Sequence, residues 1–351
     1  MTVTYHSGRR IQGTQVDFDG ISAVSGGWKE LGRTTLGSAN ASMNTTSLSD
    51  KRYYMVLTNS LGYSGVANSN IRFNSDSGNN YAERVSVSGA TDTTGTGYDF
   101  ASFAHGNTAT ENFGVGYVSN LSSKEKLWTS HNIRQNTAGA GNAPIRAESV
   151  GKWANTANAI SGIDILTGAS TTHDSGSETV ILGYDPDDTH TDNFWEQLAS
   201  VDAGGSSNTL SASITSKKYL WIQGYTENTS GSVVPRVGYS SLDSGSNYAT
   251  RLSSNGGSED LSTSATEITG LTSTTPIFWN MFIINNASNE KLIICHVGRQ
   301  NTAGAGNAPN RVEVVSKWVN TSNQINTIGF VSTTGGSTIN SNSFIKVWGS
   351  N

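Results

Sequence analysis

A nine-residue string occurs twice in this chain, letter for letter, as Asn136-Thr-Ala-Gly-Ala-Gly-Asn-Ala-Pro144 and as Asn301-Thr-Ala-Gly-Ala-Gly-Asn-Ala-Pro309. After each copy come an Arg (Arg146, Arg311), a Glu (Glu148, Glu313) and a Lys-Trp pair (Lys152-Trp153, Lys317-Trp318). Abundant Gly, Asn and Ala do not by themselves produce nine identical letters. The chain is a tandem duplication, so whatever one half folds into, the other must be able to fold into as well. Its 351 residues accommodate two units of ordinary domain size. A unit of that length buries roughly two thirds of its unfolded surface, enough for a core of its own.

Matching segments run through both halves. Trp28-Lys-Glu-Leu31 answers to Trp195-Glu-Gln-Leu198, and Lys51-Arg-Tyr-Tyr-Met-Val-Leu57 to Lys217-Lys-Tyr-Leu-Trp-Ile-Gln223. Ile71-Arg-Phe73 leads into Asp76-Ser-Gly-Asn-Asn-Tyr81, and Pro235-Arg-Val237 into Asp243-Ser-Gly-Ser-Asn-Tyr248. Glu125-Lys-Leu-Trp128 pairs with Glu290-Lys-Leu-Ile293, and each half closes on an apolar run, Glu178–Gly183 and Phe344–Gly349. Branched and aromatic residues bounded by turn residues read as strands, about eight or nine per repeat. The Asp-Ser-Gly strings read as hairpin turns, and Asn255-Gly256-Gly257 as a turn that needs positive φ. No capped stretch of helical period is present. Charged residues make up 14% of the chain, well under the usual ~25%. Together these features predict an all-β chain of two tandem antiparallel β-sandwich (jelly-roll-like) domains preceded by an N-terminal arm. The expected boundaries are an arm at 1–26, repeat one at 27–186, a linker at 187–194 and repeat two at 195–351. So short a linker predicts sandwiches lying side by side in fixed or semi-fixed contact.

A net charge of −5, with no Lys/Arg run longer than two, speaks against nucleic acid, which requires a basic stripe. No apolar run approaches the ~18 residues of a spanning helix, so no membrane insertion is expected. The N-terminus carries no apolar core of a signal peptide. A single cysteine, Cys295, excludes an internal disulfide.

Candidate chemistry is sparse. Ala138-Gly-Ala-Gly141 superficially offers Gly-x-Gly, but the residues after it, Pro144 to Trp153, read as a strand rather than the helix a phosphate loop needs. The nonapeptide is read instead as a loop that closes both sandwiches, with a second use as a contact surface. Asp185, Asp187 and Asp188 in the linker are weak candidates for a cation, because hard cations want several oxygens around a bend. Their spacing fits no EF-hand, and a solvated linker is the simpler reading. Cys295 lies in Leu292-Ile-Ile-Cys-His-Val297, a buried-strand pattern in which a thiol is inert. Its neighbour His296 and the equivalent His131 are expected to be strand residues with a hydrogen-bond partner. Tyr81 and Tyr248, each after an Asn, are candidate ligand contacts, since sugar-binding sandwiches present aromatic faces. Trp128, Trp221 and Trp279 share that reading, against the plainer one that repeat-equivalent aromatics fill the cores. Arg84 and Arg251, spaced alike after those tyrosines, are expected to stack on the ring or to pair with an acid across a hairpin.

Four strings carry a resemblance: Tyr5-His-Ser-Gly-Arg-Arg-Ile-Gln-Gly13, Arg52-Tyr-Tyr-Met-Val-Leu57, Ile71-Arg-Phe-Asn-Ser-Asp-Ser-Gly-Asn-Asn-Tyr-Ala82 and Asn301 through Arg311. In these the chain resembles tandem β-sandwich structural proteins of marine viruses and tailed phages. The resemblance covers most of the chain and implies a virion structural role, as a capsid decoration protein or a tail-fibre component. It carries over no site residues. The expectation is therefore a non-enzymatic virion protein without a cofactor. Its partners would be other virion proteins and further copies of itself, and it would be made in the host cytoplasm without a signal peptide. Tyr5, Arg9 and Arg10 would belong to an assembly arm. The alternative is a carbohydrate-binding adhesin that recognises a cell-surface glycan; a glycan-degrading enzyme ranks below both, because no catalytic motif is present.

Overall fold

The computed structural model describes residues 27–105, 109–168, 170–272 and 274–351, so Tyr5, Arg9 and Arg10 lie outside the described residues. Repeat one forms β1 (Lys29–Thr35), β2 (Ser42–Thr46), β3 (Tyr53–Ser60), β4 (Ser69–Phe73), β5 (Tyr81–Val87) and β6 (Thr93–Tyr98). It continues with β7 (Ala101–Ala104), β8 (Asn112–Ser119), β9 (Lys126–Arg134), β10 (Ile145–Trp153), β11 (Gly162–Leu166) and β12 (Glu178–Tyr184). Repeat two forms β13 (Glu196–Asp202), β14 (Thr209–Ser213), β15 (Tyr219–Thr226), β16 (Ser232–Gly238), β17 (Tyr248–Ser254) and β18 (Glu259–Ala265). It ends with β19 (Leu271–Thr272), β20 (Ile277–Ile284), β21 (Lys291–Arg299), β22 (Asn310–Trp318), β23 (Thr327–Ser332) and β24 (Phe344–Ser350).

Each repeat is a sandwich of one eight-stranded and one four-stranded sheet. The large sheet of repeat one has the order β1-β12-β3-β8-β9-β10-β5-β6, and the small one β2-β11-β4-β7. Repeat two repeats both orders strand for strand. All pairs are antiparallel. No two neighbours in the small sheet are consecutive in sequence, as in a jelly roll, where the chain crosses repeatedly from one sheet to the other.

The side-chain patterns reflect what covers each sheet. Strand β2, at the edge of the small sheet, alternates, with Met43 and Thr45 inward and Asn44 and Thr46 outward. In β3, by contrast, every residue from Tyr54 to Ser60 is buried. One face of the large sheet packs on its own small sheet, and the other meets the second repeat. Each sandwich has its own core: Phe73, Phe103, Trp128 and Trp153 in repeat one, and Trp279, Trp318, Phe330 and Tyr248 in repeat two. A third apolar cluster belongs to neither. It joins Met55, Leu57, Phe113 and Val115 to Tyr219, Phe282, Ile294 and Val315 across the outer faces of the two large sheets.

The Asp-Ser-Gly strings are not hairpins. Strand β4 lies in the small sheet and β5 in the large one, so Asp76-Ser-Gly turns the corner between sheets, as Asp243-Ser-Gly does in repeat two. Asp76 accepts from Gly78 N (2.9 Å), Asn80 Nδ2 (2.9 Å) and Trp153 Nε1 (2.7 Å). Asp243 accepts from Gly245 N (2.7 Å), Asn247 Nδ2 (2.8 Å) and Trp318 Nε1 (2.7 Å). Burial works against both charges, but these donors outweigh it and hold both carboxyls below their usual range. Asn255-Gly256 does form the positive-φ turn expected of it, with φ of 54° and 71° and Gly257 N bonded to Ser254 O.

Candidate assembly interface

The aromatic residues expected as ligand contacts prove to be structural. Tyr81 is 1% and Tyr248 0% exposed. Each turns its hydroxyl back on the corner that precedes it: Phe73 N donates to Tyr81 Oη (2.9 Å), and Tyr248 Oη donates to Val237 O (2.7 Å). Their position after a polar turn suggested exposure. A phenol satisfied by backbone is instead free to bury its ring. Trp128 and Trp279 are likewise buried in their cores, while Trp221 lies partly exposed against Trp195 and Phe282 on the outer face of β15.

The linker carboxylates do not converge either. Asp188 meets Lys51, Asp187 lies 4.0 Å from Arg52, and Asp185 Oδ1 accepts from Asp187 N (3.2 Å). Among the described residues no three His, Cys, Asp or Glu groups gather as metal ligands would. Cys295 is fully buried, and burial pushes its thiol far up. Arg84 and Arg251 pair across the β5–β6 and β17–β18 hairpins, with Asp92 at 3.5 Å and Glu259 at 2.6 Å.

What the structure does bring together is a polar network between the repeats, centred on the first nonapeptide. Glu290 of repeat two reaches across and accepts from Gly139 N (2.6 Å) and Gln135 Nε2 (2.9 Å). Lys317, wholly buried, lies 3.3 Å from Glu290 and donates to the carbonyls of Gln135 and Thr137. Ser264 N donates to Ala140 O (2.7 Å), and Arg251 Nε to Pro144 O (2.7 Å). The loop is thus seated along its length on the side chains of Glu290, Lys317 and Arg251 and on the backbone amide of Ser264.

Beside the loop, Arg146 gathers three carboxylates. Its guanidinium bonds Glu148, Glu259 (3.0 Å) and Glu313 (2.9 Å). Glu259 and Glu313 come from repeat two. With Arg251 also on Glu259, the cluster is a buried alternation of charge, in which each ion compensates its neighbours' loss of water. Even so, Glu148 is held above its ordinary range, chiefly by burial and against the pull of Arg146. His131 and His296 meet at the centre of the junction with ring centroids 4.1 Å apart. Hydrogen-bond partners were expected for them; each ring's principal neighbour is its own repeat-mate. Burial, with Arg146 beside the first ring and His131 beside the second, depresses them to about 4 and about 3. At the far edge Asn286 Nδ2 donates to Asn59 Oδ1 (2.7 Å) and Glu111 Oε1 (3.1 Å), and Glu178 accepts from Lys218 Nζ (2.9 Å) and Tyr219 Oη (2.7 Å).

In the sequence, Arg146, Glu148 and the Lys-Trp pairs stand out only as marks of the repeat. One signal was present: outward positions differ in polarity between equivalent strands. Strand β21 carries Ile294 where β9 has Thr129, and β12 carries Val180 where β24 has Lys346. An apolar residue at an outward position of one copy alone marks a face covered in that copy alone.

No protein-family model matches this chain, and no curated protein matches it. Among solved structures, the human GIVD cytosolic phospholipase A2 in complex with methyl gamma-linolenyl fluorophosphonate shows 6% identity at a TM-score of 0.12, covering 79% of this chain and 33% of that one. At that score the likeness bears on neither fold nor activity.

Proposed function

We propose that this protein is a non-enzymatic structural component of a virion, a capsid decoration protein or a tail-fibre component, that works through protein–protein contacts. The observation that carries the reading is the use of the first nonapeptide: the loop is a docking element seated on a neighbouring sandwich. The charged groups around it serve the same purpose: Arg146 pairs with Glu259 and Glu313 across the junction, and the Glu290–Lys317 pair of repeat two bonds the Gly139 amide and the Gln135 and Thr137 carbonyls of repeat one. A face built from paired ions and backbone acceptors recognises another protein surface. The resemblance of the four sequence strings to tandem β-sandwich structural proteins of viruses supplies the setting.

Mass spectrometry of purified particles tests it: the chain should be present in a fixed ratio to the major particle protein. Deleting residues 1–26 should remove it from particles and leave folded, soluble sandwiches. Particles that retain the truncated protein would refute the anchoring role of the arm. Particles lacking the full-length chain would refute the virion assignment itself.

A further inference from the structure

The junction between the repeats is one-sided. The first nonapeptide is docked; the second, Asn301–Pro309, is exposed at all nine residues. The counterparts of the surface that receives the docked loop are exposed too. Glu290 and Lys317 correspond to Glu125 and Lys152, which sit 3.0 Å apart on the open surface. Arg251 and Glu259 correspond to Arg84 and Asp92, again an exposed pair.

The apolar half repeats the pattern. Tyr219, Phe282, Leu292 and Val315 are buried against repeat one. Their counterparts Tyr53, Tyr117, Leu127 and Val150 are exposed, Leu127 by 55%, and Tyr117 adjoins an apolar depression walled by Trp28 and Tyr184. Conversely, Phe113 is buried in the junction while its counterpart Phe278 is exposed. A self-complementary contact would use both halves of each face at once. This one joins the loop-bearing half of repeat one to the receiving half of repeat two. It leaves a receiving half free on repeat one and a loop-bearing half free on repeat two.

We propose that a second copy of this chain fills them. The loop Asn301–Pro309 of one copy would dock on Glu125, Lys152, Arg84 and Asp92 of the next, and its exposed Arg311 would take the place that Arg146 holds within the chain. The observed junction is the template, because the loop sequence is identical and the receiving charges keep their signs at all four positions. Head-to-tail contacts of this kind propagate or close into rings. The inference rests on the assembly reading above and names its partner.

Sedimentation of the full chain across micromolar to sub-millimolar concentration provides the test. The mass should climb above the 37.0 kDa of one chain. Glu125→Lys sets a donor where Gly304 N needs an acceptor and a second cation beside Lys152, and should weaken association on the order of thirtyfold. Leu127→Arg should do the same from the apolar half. Both positions are exposed in the single chain, so folding is spared, and circular dichroism verifies that. A further arm mixes Glu125→Cys protein with Ala303→Cys protein under oxidation, where a mixed cross-linked dimer is expected. One-chain mass at every concentration, or variants that associate like the parent, would overturn the proposal. If the chain stays single in solution yet is found on particles, self-association fails and the assembly reading stands. If it associates but is absent from particles, the reverse holds.

Discussion

The two copies of the nonapeptide share a sequence and the turn at their centre, and they differ at their first residue, where Asn136 has positive φ and Asn301 does not, and in what they touch. Gly139 and Gly304 both take positive φ, 91° and 98°. Asn142 and Asn307 close the same internal bonds, from the side chain to Ala138 O (3.1 Å) and Ala303 O (3.0 Å) and from the amide to Gly139 O and Gly304 O. Yet one loop is bonded to Glu290, Ser264 and Arg251, and the other stands in solvent. A loop's shape can be local, while its work is decided by the surface that comes to lie opposite.

The comparison is most easily broken at the arginines just after the loops. Arg146 is 7% exposed among three carboxylates; Arg311 is 64% exposed. Arg146→Ala leaves Glu148 without its cation and breaks both ion pairs to Glu259 and Glu313 across the junction, and should cost about 3 kcal/mol, whereas Arg311→Ala should stay within about 0.5 kcal/mol. Urea midpoints of the two variants measure the difference. Equal losses would mean that the junction is not formed as described.

Next comes the glutamate that receives the loop. Glu290→Ala strands the buried Lys317 and the Gly139 amide, for an expected loss of about 3 kcal/mol. Its counterpart Glu125 sits in a surface pair with Lys152, so Glu125→Ala should cost under about 1 kcal/mol in the single chain. Calorimetric melting of both variants at equal dilution separates them.

The histidine pair gives the comparison a pH signature. His131 and His296 titrate near 4 and 3 when folded, below the ordinary 6.5, so from pH 6.5 downward the unfolded chain binds more protons. The stability they contribute is present above pH 6.5 and is lost as pH falls toward 4 and 3. Glu111 acts in the opposite sense. Burial lifts it to about 7 against the donors Asn59 and Asn286, so its contribution is present below 4.5 and is lost as pH rises through 7. Both windows lie below neutrality and oppose each other between pH 4.5 and 6.5, so melting temperature should change less across that range than either group alone would make it. His131→Asn with His296→Asn should flatten the acid limb below pH 6.5 by about 2 kcal/mol, and Glu111→Gln should remove the opposing change between pH 4.5 and 7. An acid limb unchanged in the double variant would remove the histidines from the account.

The smallest effect should be the one the two loops share. A Cβ at Gly139 would meet nothing within 4 Å, and at Gly304 only the end of Asn307 at 4.0 Å. Gly139→Ala and Gly304→Ala should therefore each cost about 1 kcal/mol, from positive φ alone. Unequal melting shifts would show that docking also constrains the backbone of the first loop.

Much of the fold was legible because it is local. The apolar runs marked β3, β12, β15, β21 and β24. The sequence predicts about eight or nine strands per repeat, and the described residues form twelve in each. Those without an apolar signature include β6 (Thr93–Tyr98) and β18 (Glu259–Ala265), largely exposed edge strands that backbone pairing to β5 and β17 holds in place. The corner at Asp76 was misread because a turn motif gives the bend and not the sheet to which the chain returns.

The sequence by itself determined the duplication, the β-sandwich class, the turn at the centre of the loop and the Asp-Ser-Gly bend, all of which rest on neighbours within a few residues or on side-chain period. Tertiary structure decided that Tyr81 and Tyr248 face inward, that His131 meets His296, and that the first nonapeptide is docked while the second is free. Identical residues have identical backbone preferences. They acquire different partners because one chain with two repeats can bring only one loop onto a receiving face.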